Sequence, residues 1–371
     1  MKKKTKIGIL TFHFANNYGA VMQTYALYNC LLELGYQPTI INRIPNYSNF
    51  LLKTLKRRLN KLFISFFSHS FTLFRRENFK SITNVIASNK KMKDVSHMFD
   101  TIIVGSDQIW RMDYTEGLDY NYFLDFADEN VNKISYAASF GKDSFCGSEE
   151  NKRRVRELLS HFDSVSVRED SAVQICKNVF NIESQHVLDP TLLLENYSDI
   201  ISDKEEKNLE EYIATYFLDS SVHKLDVAAK MSSRFKIKTK NIYRKSNKNF
   251  SLRNISFPLS DYSFPKVESW LGGIKRSSYV VTDSFHGVIF SILFEKQFVC
   301  IGNKERGLSR ITSLLKMFEL DNRLVLEGEK LNEKNFDTID YEKTNRILRK
   351  KRKESLDFMI SALSKKKSIC N

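Results

Sequence analysis

The chain has 371 residues, room for two sizeable cores, and its 42% hydrophobic and 27% charged content excludes a disordered polymer. No apolar run is long enough to span a bilayer, and five scattered cysteines (Cys30, Cys146, Cys176, Cys300, Cys370) lack the spacing of a zinc ribbon or disulfide framework. The net charge of +14 sits mainly in two segments, residues 51–76 with seven basic and no acidic residues and residues 343–371 with ten basic and two acidic ones.

In chain order, Lys6 to Thr11 reads as a first β-strand, because the apolar run behind the basic start is too short for a secretory signal. With unpaired thiols, this places the protein in a reducing cytoplasm. The polar loop His13 to Gly19 feeds a helix that ends at Gly35, a natural C-cap. Asn16 and Asn17 have two open readings, as ligands of sugar hydroxyls or donor and as turn formers. Gly19 would let a ligand approach the backbone. A second strand covers residues 37–44.

The basic segment 51–76 follows as an insertion. Apolar residues at 51, 52, 55, 59, 62, 63, 66 and 67 form a helical stripe, with Lys53, Lys56, Arg57, Arg58 and Lys61 opposite. A helix lying on an anionic membrane surface and a core helix with a solvated basic face both fit this pattern. Cations alone also attract phosphate backbones, but no nucleic-acid module accompanies them, and no nucleic-acid partner is expected.

FDTIIVGSD, NKISYAASFG, FDSVSVRED and SQHVLDPTLLL are short β-branched runs that end in polar residues. Interleaved with helices, they predict a parallel sheet, whose ligands gather at the carboxyl ends of strands. His13 to Gly19, Gly105 to Trp110, Ser139 to Gly141, Arg168 to Asp170 and Asp189 to Thr191 all follow such runs. Asp107 is a candidate base for an acceptor hydroxyl, with capping the open alternative. Asp189, before Pro190, shapes a turn. For Arg168 the alternatives are an anion clamp and a salt bridge to Glu169 or Asp170.

A charged stretch at 202–211 marks the domain boundary. Beyond it come a strand in EYIATYFLD, a helix from Val222 to Met231 and a strand in RFKIKTKNIYR. YVVTDSFHG (Tyr279 to Gly287) is the most informative segment, a strand whose Thr282 and Asp283 are good helix caps, followed by an apolar helix. His286 therefore stands in the first helical turn, where free N–H groups favour a phosphate. Ser284 offers a hydroxyl beside it. Capping its own helix is the plain alternative for His286, and capping alone would account for Asp283. Arg306 and Arg310 open the next helix as further cations or as solvated ones.

These pieces, in this order, resemble the polysaccharide pyruvyl transferase family, closest to its branch acting on bacterial surface polysaccharides. The motifs are TFHFANNYGAVMQTYAL, FDTIIVGSDQIW, KISYAASFG, SVRED, VLDPTLLL, VTDSFHG and the RGLSR segment, from Ile9 to about Arg323. The resemblance implies an α/β protein of two Rossmann-like domains facing a cleft, similar to GT-B glycosyltransferases. The expected divisions are 1–200 with the insertion 51–76, 208–330 carrying the DSFHG motif, and a basic helical tail over 331–371. The implied reaction takes pyruvate from phosphoenolpyruvate and installs it as a cyclic ketal on a sugar of a surface polysaccharide or its lipid-linked precursor. The resemblance supports His286 and Arg168 as catalytic residues converging on one small anion, and Asp107 joins them as the candidate base read above. Asp283, Ser284, Phe285, Arg306 and Arg310 would bind the donor, and His13, Asn16, Asn17 and Gly19 would form an acceptor or cleft loop. Phosphoenolpyruvate acts as co-substrate, with no other cofactor and no metal. A nucleotide-sugar glycosyltransferase is the alternative, and peripheral contact with the inner face of the cytoplasmic membrane is a further expectation.

Overall fold

Ile7, Ile9 and Leu10 are fully buried in the first strand, β1 (Lys6–Leu10), of the computed structural model. It describes residues 5–45, 69–118, 120–201, 210–243, 264–303 and 307–365. After β1 come α1 (Tyr18–Glu33), β2 (Gln37–Ile40), α2 (His69–Asn78), α3 (Asn89–Ser96), β3 (Thr101–Val104) and β4 (Asn132–Ala138). Then follow α4 (Glu149–Leu159), β5 (Ser164–Val167), α5 (Asp170–Ile175) and β6 (Gln185–His186). The second half adds β7 (Tyr212–Tyr216), α6 (Val222–Phe235), β8 (Lys238–Asn241), α7 (Val267–Lys275), β9 (Tyr279–Thr282) and α8 (Phe285–Leu293). It closes with β10 (Gln297–Gly302), α9 (Leu308–Met317), β11 (Leu324–Leu326) and α10 (Tyr341–Ser364).

The strands make two parallel sheets, and the fold class is α/β. One has the order β2-β1-β3-β4-β5-β6, the other β11-β10-β9-β7-β8. Their inner strands show why the pairing is parallel: β3, β4 and β7 are buried at every position, as strands covered on both faces by crossover helices must be. β8, at an edge, exposes all four residues and carries Lys238 and Lys240, charges that discourage a further strand from adding. In the first sheet the winding direction reverses between β1 and β3, and in the second between β7 and β9. Such switch points leave a crevice at the carboxyl ends of the two strands.

The described residues fall into two compact units. One gathers those up to 45, from Glu77 to Leu194 and from Leu348 onward; the other gathers 69–76 and those from Glu195 to Ile347. Within 331–365, residues up to Ile347 group with the second unit and those from Leu348 with the first. There Arg352 donates from Nε to Leu192 O at 2.8 Å and from Nη2 to Leu194 O at 3.2 Å. Ser355 Oγ accepts from Leu188 N at 2.9 Å, and Met359 and Ala362 are buried. The expected amphipathic helix over residues 51–67 lies outside the described residues. Among the described residues, no helix is long and apolar enough to cross a membrane.

Candidate functional site

The DSFHG segment occupies the switch point of the second sheet. β9 ends at Thr282, whose Oγ1 donates to Tyr216 O at 2.7 Å and accepts from Ser284 N at 3.1 Å, joining this turn to the end of β7. Thr282 and Asp283, the expected helix caps, are both engaged elsewhere, and the cap of α8 is Ser284. Its backbone is extended (φ −104°) and its Oγ accepts from Gly287 N at 3.4 Å. Phe285 and His286 form the first turn, both buried, with their rings edge to face at 5.3 Å. Arg310, half-buried on α9, places its guanidinium 5.7 Å from the centre of the Phe285 ring. A helix start, an imidazole and a guanidinium are thus grouped within one unit. Arg306 lies outside the described residues.

Gly287 is required by the same crowding. A Cβ there would stand 2.3 Å from Thr282 Oγ1 and 3.0 Å from both Thr282 carbons. Because Thr282 is β-branched and tied to Tyr216, it has little room to yield. Gly287→Ala is expected to destabilise the second unit by about 1–3 kcal/mol, read as a lower midpoint in urea unfolding.

Beneath the turn lies an ion triad that sequence reasoning missed. Lys224, in the first turn of α6 and almost fully buried, donates from Nζ to Asp283 Oδ2 at 2.7 Å, to Asp219 O at 3.2 Å and to Asp219 Oδ1. Asp283 Oδ1 accepts from Leu218 N at 2.8 Å. Burial opposes the charge on Lys224, yet the hydrogen-bonded carboxylates of Asp219 and Asp283 outweigh it and hold the ammonium above its usual value. Burial pushes the Asp283 carboxyl up, against the pull of Lys224. Asp283, expected to bind the donor, therefore has both oxygens occupied by protein donors. The one sequence signal for Lys224 is its place three residues after Ser221, whose hydroxyl caps α6.

In the first unit, Arg168 follows β5 and is almost completely enclosed. Nη1 donates to Asp189 Oδ2 at 2.8 Å and to Ser106 Oγ at 3.3 Å, and Nη2 lies 3.6 Å from Asp107 Oδ1. Burial opposes this charge too, but Asp189 and Asp107 raise its pKa above the ordinary value. Asp189, 21 residues on, is thus an ion-pair partner of Arg168. Glu169 accepts from Ser139 Oγ at 2.8 Å and Phe140 N at 3.1 Å, fastening the loop after β4. Asp189 also shapes its turn, accepting from Thr191 N at 3.0 Å and Thr191 Oγ1 at 2.6 Å. Asp107 accepts from Gln108 N at 2.8 Å, so it caps its own turn while facing Arg168. Gly105, just before it, has φ +116°, and a Cβ there would meet Tyr136 O at 2.1 Å.

The His13 to Gly19 loop belongs to the switch point of this sheet. Thr11 Oγ1 donates to Ser106 O at 2.8 Å, joining the ends of β1 and β3. His13 is buried, with Nδ1 3.1 Å from Thr11 O and Nε2 2.9 Å from Asn42 Oδ1. Asn17 caps α1 through Oδ1, which accepts from Ala20 N at 2.7 Å. Gly19 is buried in that first turn, and Asn16 is half-buried beside it. Among the described residues, no group of three or more His, Cys, Asp or Glu side chains could hold a metal ion.

Two parallel sheets, each reversing its winding between two inner strands, give two Rossmann-like α/β units. Residues 17–305 match the model of the polysaccharide pyruvyl transferase family, and the chain belongs to that family. It is a transferase of polysaccharide biosynthesis. Among solved structures, Staphylococcus aureus MnaA in complex with UDP is similar, at 11% identity over 99% of both chains and a TM-score of 0.53. The glycotransferase of kitacinnamycin matches at 10% identity over 97% of this chain and 98% of its own, with a TM-score of 0.48. No protein of curated function matches the chain.

Proposed function

We propose that this transferase moves pyruvate from phosphoenolpyruvate onto two hydroxyls of a sugar, forming a cyclic ketal in a surface polysaccharide or its lipid-linked precursor. The observation that supports it most is His286 in the first turn of α8, beside the Ser284 cap and with Arg310 close to the adjoining ring. A phosphate and a carboxylate on one small molecule call for several cationic or N–H partners, and this grouping supplies three kinds. His286 binds the phosphate and acts as the acid. Protonation of the donor's methylene carbon leaves positive character on the central carbon, which a sugar hydroxyl attacks. The first hydroxyl's proton passes to a base, the carbon–oxygen bond to phosphate breaks, phosphate departs, and the second hydroxyl closes the ring, losing its proton likewise. On the acceptor side, His13, Asn16, Asn17 and Asp107 are the groups proposed to meet sugar hydroxyls, with Asp107 the candidate base. The basic segments suit contact with an anionic membrane on the cytoplasmic face.

The fold likeness to MnaA, seen with UDP, favours one other reading, a nucleotide-sugar glycosyltransferase. Thermal unfolding with each ligand separates the two. Phosphoenolpyruvate at about 100 times its Kd is expected to stabilise the protein by about 2.7 kcal/mol. UDP and UDP-sugars should leave the midpoint where it was. Stabilisation by UDP alone would replace the pyruvyl reading. A pyruvate-sized mass gain on the acceptor, with release of inorganic phosphate, would complete the case.

A further inference from the structure

We infer that Lys224 is a positioning residue for the donor site, offsetting the Asp283 carboxylate that stands directly before the α8 cap and fixing the turn that presents Ser284 and His286. This rests on the anionic donor proposed above. Asp283 immediately precedes the anion-binding end of a helix, and a carboxylate there repels a phosphate that the helix start would attract. The chain keeps the acid because its oxygens fix the geometry: Oδ1 accepts from Leu218 N at 2.8 Å and Oδ2 receives Lys224 Nζ at 2.7 Å. Both bonds cross the switch point from the β7 side to the β9 side. The ammonium, shared with Asp219, therefore retains the hold of Asp283 on the turn and offsets its repulsion.

Among the described residues, three titratable groups act on Asp283. Lys224 reaches it from α6, Asp219 from the loop after β7, and Cys300 from β10, where burial keeps the thiol protonated. With Lys224 removed, Asp283 and Asp219 face each other without their shared cation. Lowering the pH then neutralises Asp283 and relieves the repulsion; raising it restores the negative charge. Donor affinity in such a variant must therefore fall as pH rises, and a purely mechanical role for Lys224 gives no such slope.

The test is a set of variants, Lys224→Met, Asp283→Asn, the double variant and Lys224→Arg. Each is assayed for KM and kcat with phosphoenolpyruvate between pH 5.5 and 8.5 and divided by wild type at the same pH, so that titration of the donor cancels. Lys224→Met should raise KM about tenfold at high pH with kcat changed far less, the gap closing as pH falls. The double variant and Lys224→Arg should return KM to within about threefold of wild type. Circular dichroism confirms that each variant is folded. A KM loss in Lys224→Met that is flat with pH, or that persists in the double variant, overturns the inference. Calorimetric binding of inorganic phosphate to the same four variants distinguishes this outcome from failure of the pyruvyl reading. If phosphoenolpyruvate is not turned over but phosphate binding follows the expected pattern, the inference stands and the donor assignment falls. A wild type that binds neither anion overturns both.

Discussion

Replacing His286 with asparagine is expected to lower kcat/KM for phosphoenolpyruvate by about 10²–10⁴-fold while leaving the unfolding midpoint nearly unchanged. Asparagine keeps a short polar side chain in the first turn of α8, so the Ser284 cap and the contact between Gly287 and Thr282 survive. It cannot deliver a proton near neutral pH. The imidazole can both donate to a phosphate oxygen and carry the proton that the donor's double bond must accept. How the loss divides between kcat and KM reports which role is larger. A fall mainly in kcat marks the acid, and a rise mainly in KM marks the phosphate ligand. The measurement is initial-rate phosphate release with acceptor present, at saturating and limiting donor. Turnover within about threefold of wild type would take His286 out of the mechanism.

The elements of this fold were legible in the sequence because their signals are local. β-Branched runs such as TIIV and YVVT are buried at nearly every position, which parallel sheets demand, and polar residues follow them where strands end. The DSFHG turn was legible for the same reason, although its cap, Ser284, lies one or two residues beyond the caps that Thr282 and Asp283 suggest. Thr282, Asp283 and Ser284 are all good caps taken singly, and local rules cannot rank them. What decided between them was distant: Tyr216 takes the Thr282 hydroxyl and Lys224 takes the Asp283 carboxylate. Lys224 and Asp283 lie 59 residues apart, and Arg168 and Asp189 lie 21 apart. Neither pair has a helical or strand spacing that would show in the sequence. Lys224 therefore resembles a solvated cation, and Asp189 resembles a turn residue with no second duty. Glu169 and Asp170, adjacent to Arg168, are the partners that proximity in sequence suggests, and β5 also ends with the guanidinium aimed across the sheet toward the β3 and β6 loops.

Replacing Arg168 with methionine is expected to cost the first unit about 3–5 kcal/mol, because removing one partner leaves the Asp189 carboxylate buried without its cation. The side chains of both are essentially without exposure, and the 2.8 Å bond between them is reinforced by Ser106 Oγ, which donates to Asp189 Oδ2 at 3.0 Å. Asp189→Asn in the same chain removes the stranded charge while preserving an oxygen for Thr191. The double variant should therefore recover about half or more of the loss, since the penalty arises from uncompensated charge and not from the missing contact. The measurement is the midpoint of the first guanidinium unfolding transition for wild type, both single variants and the double. Activity alone cannot make the distinction, because an unfolded first unit and a missing anion clamp both abolish turnover. A methionine variant that unfolds at the wild-type midpoint yet fails to turn over would make Arg168 a ligand of the donor. A variant that loses stability and regains it through Asp189→Asn makes Arg168 the keystone of the loops after β1, β3, β5 and β6. In that case the donor's anions would rest on α8 and Arg310, in the second unit.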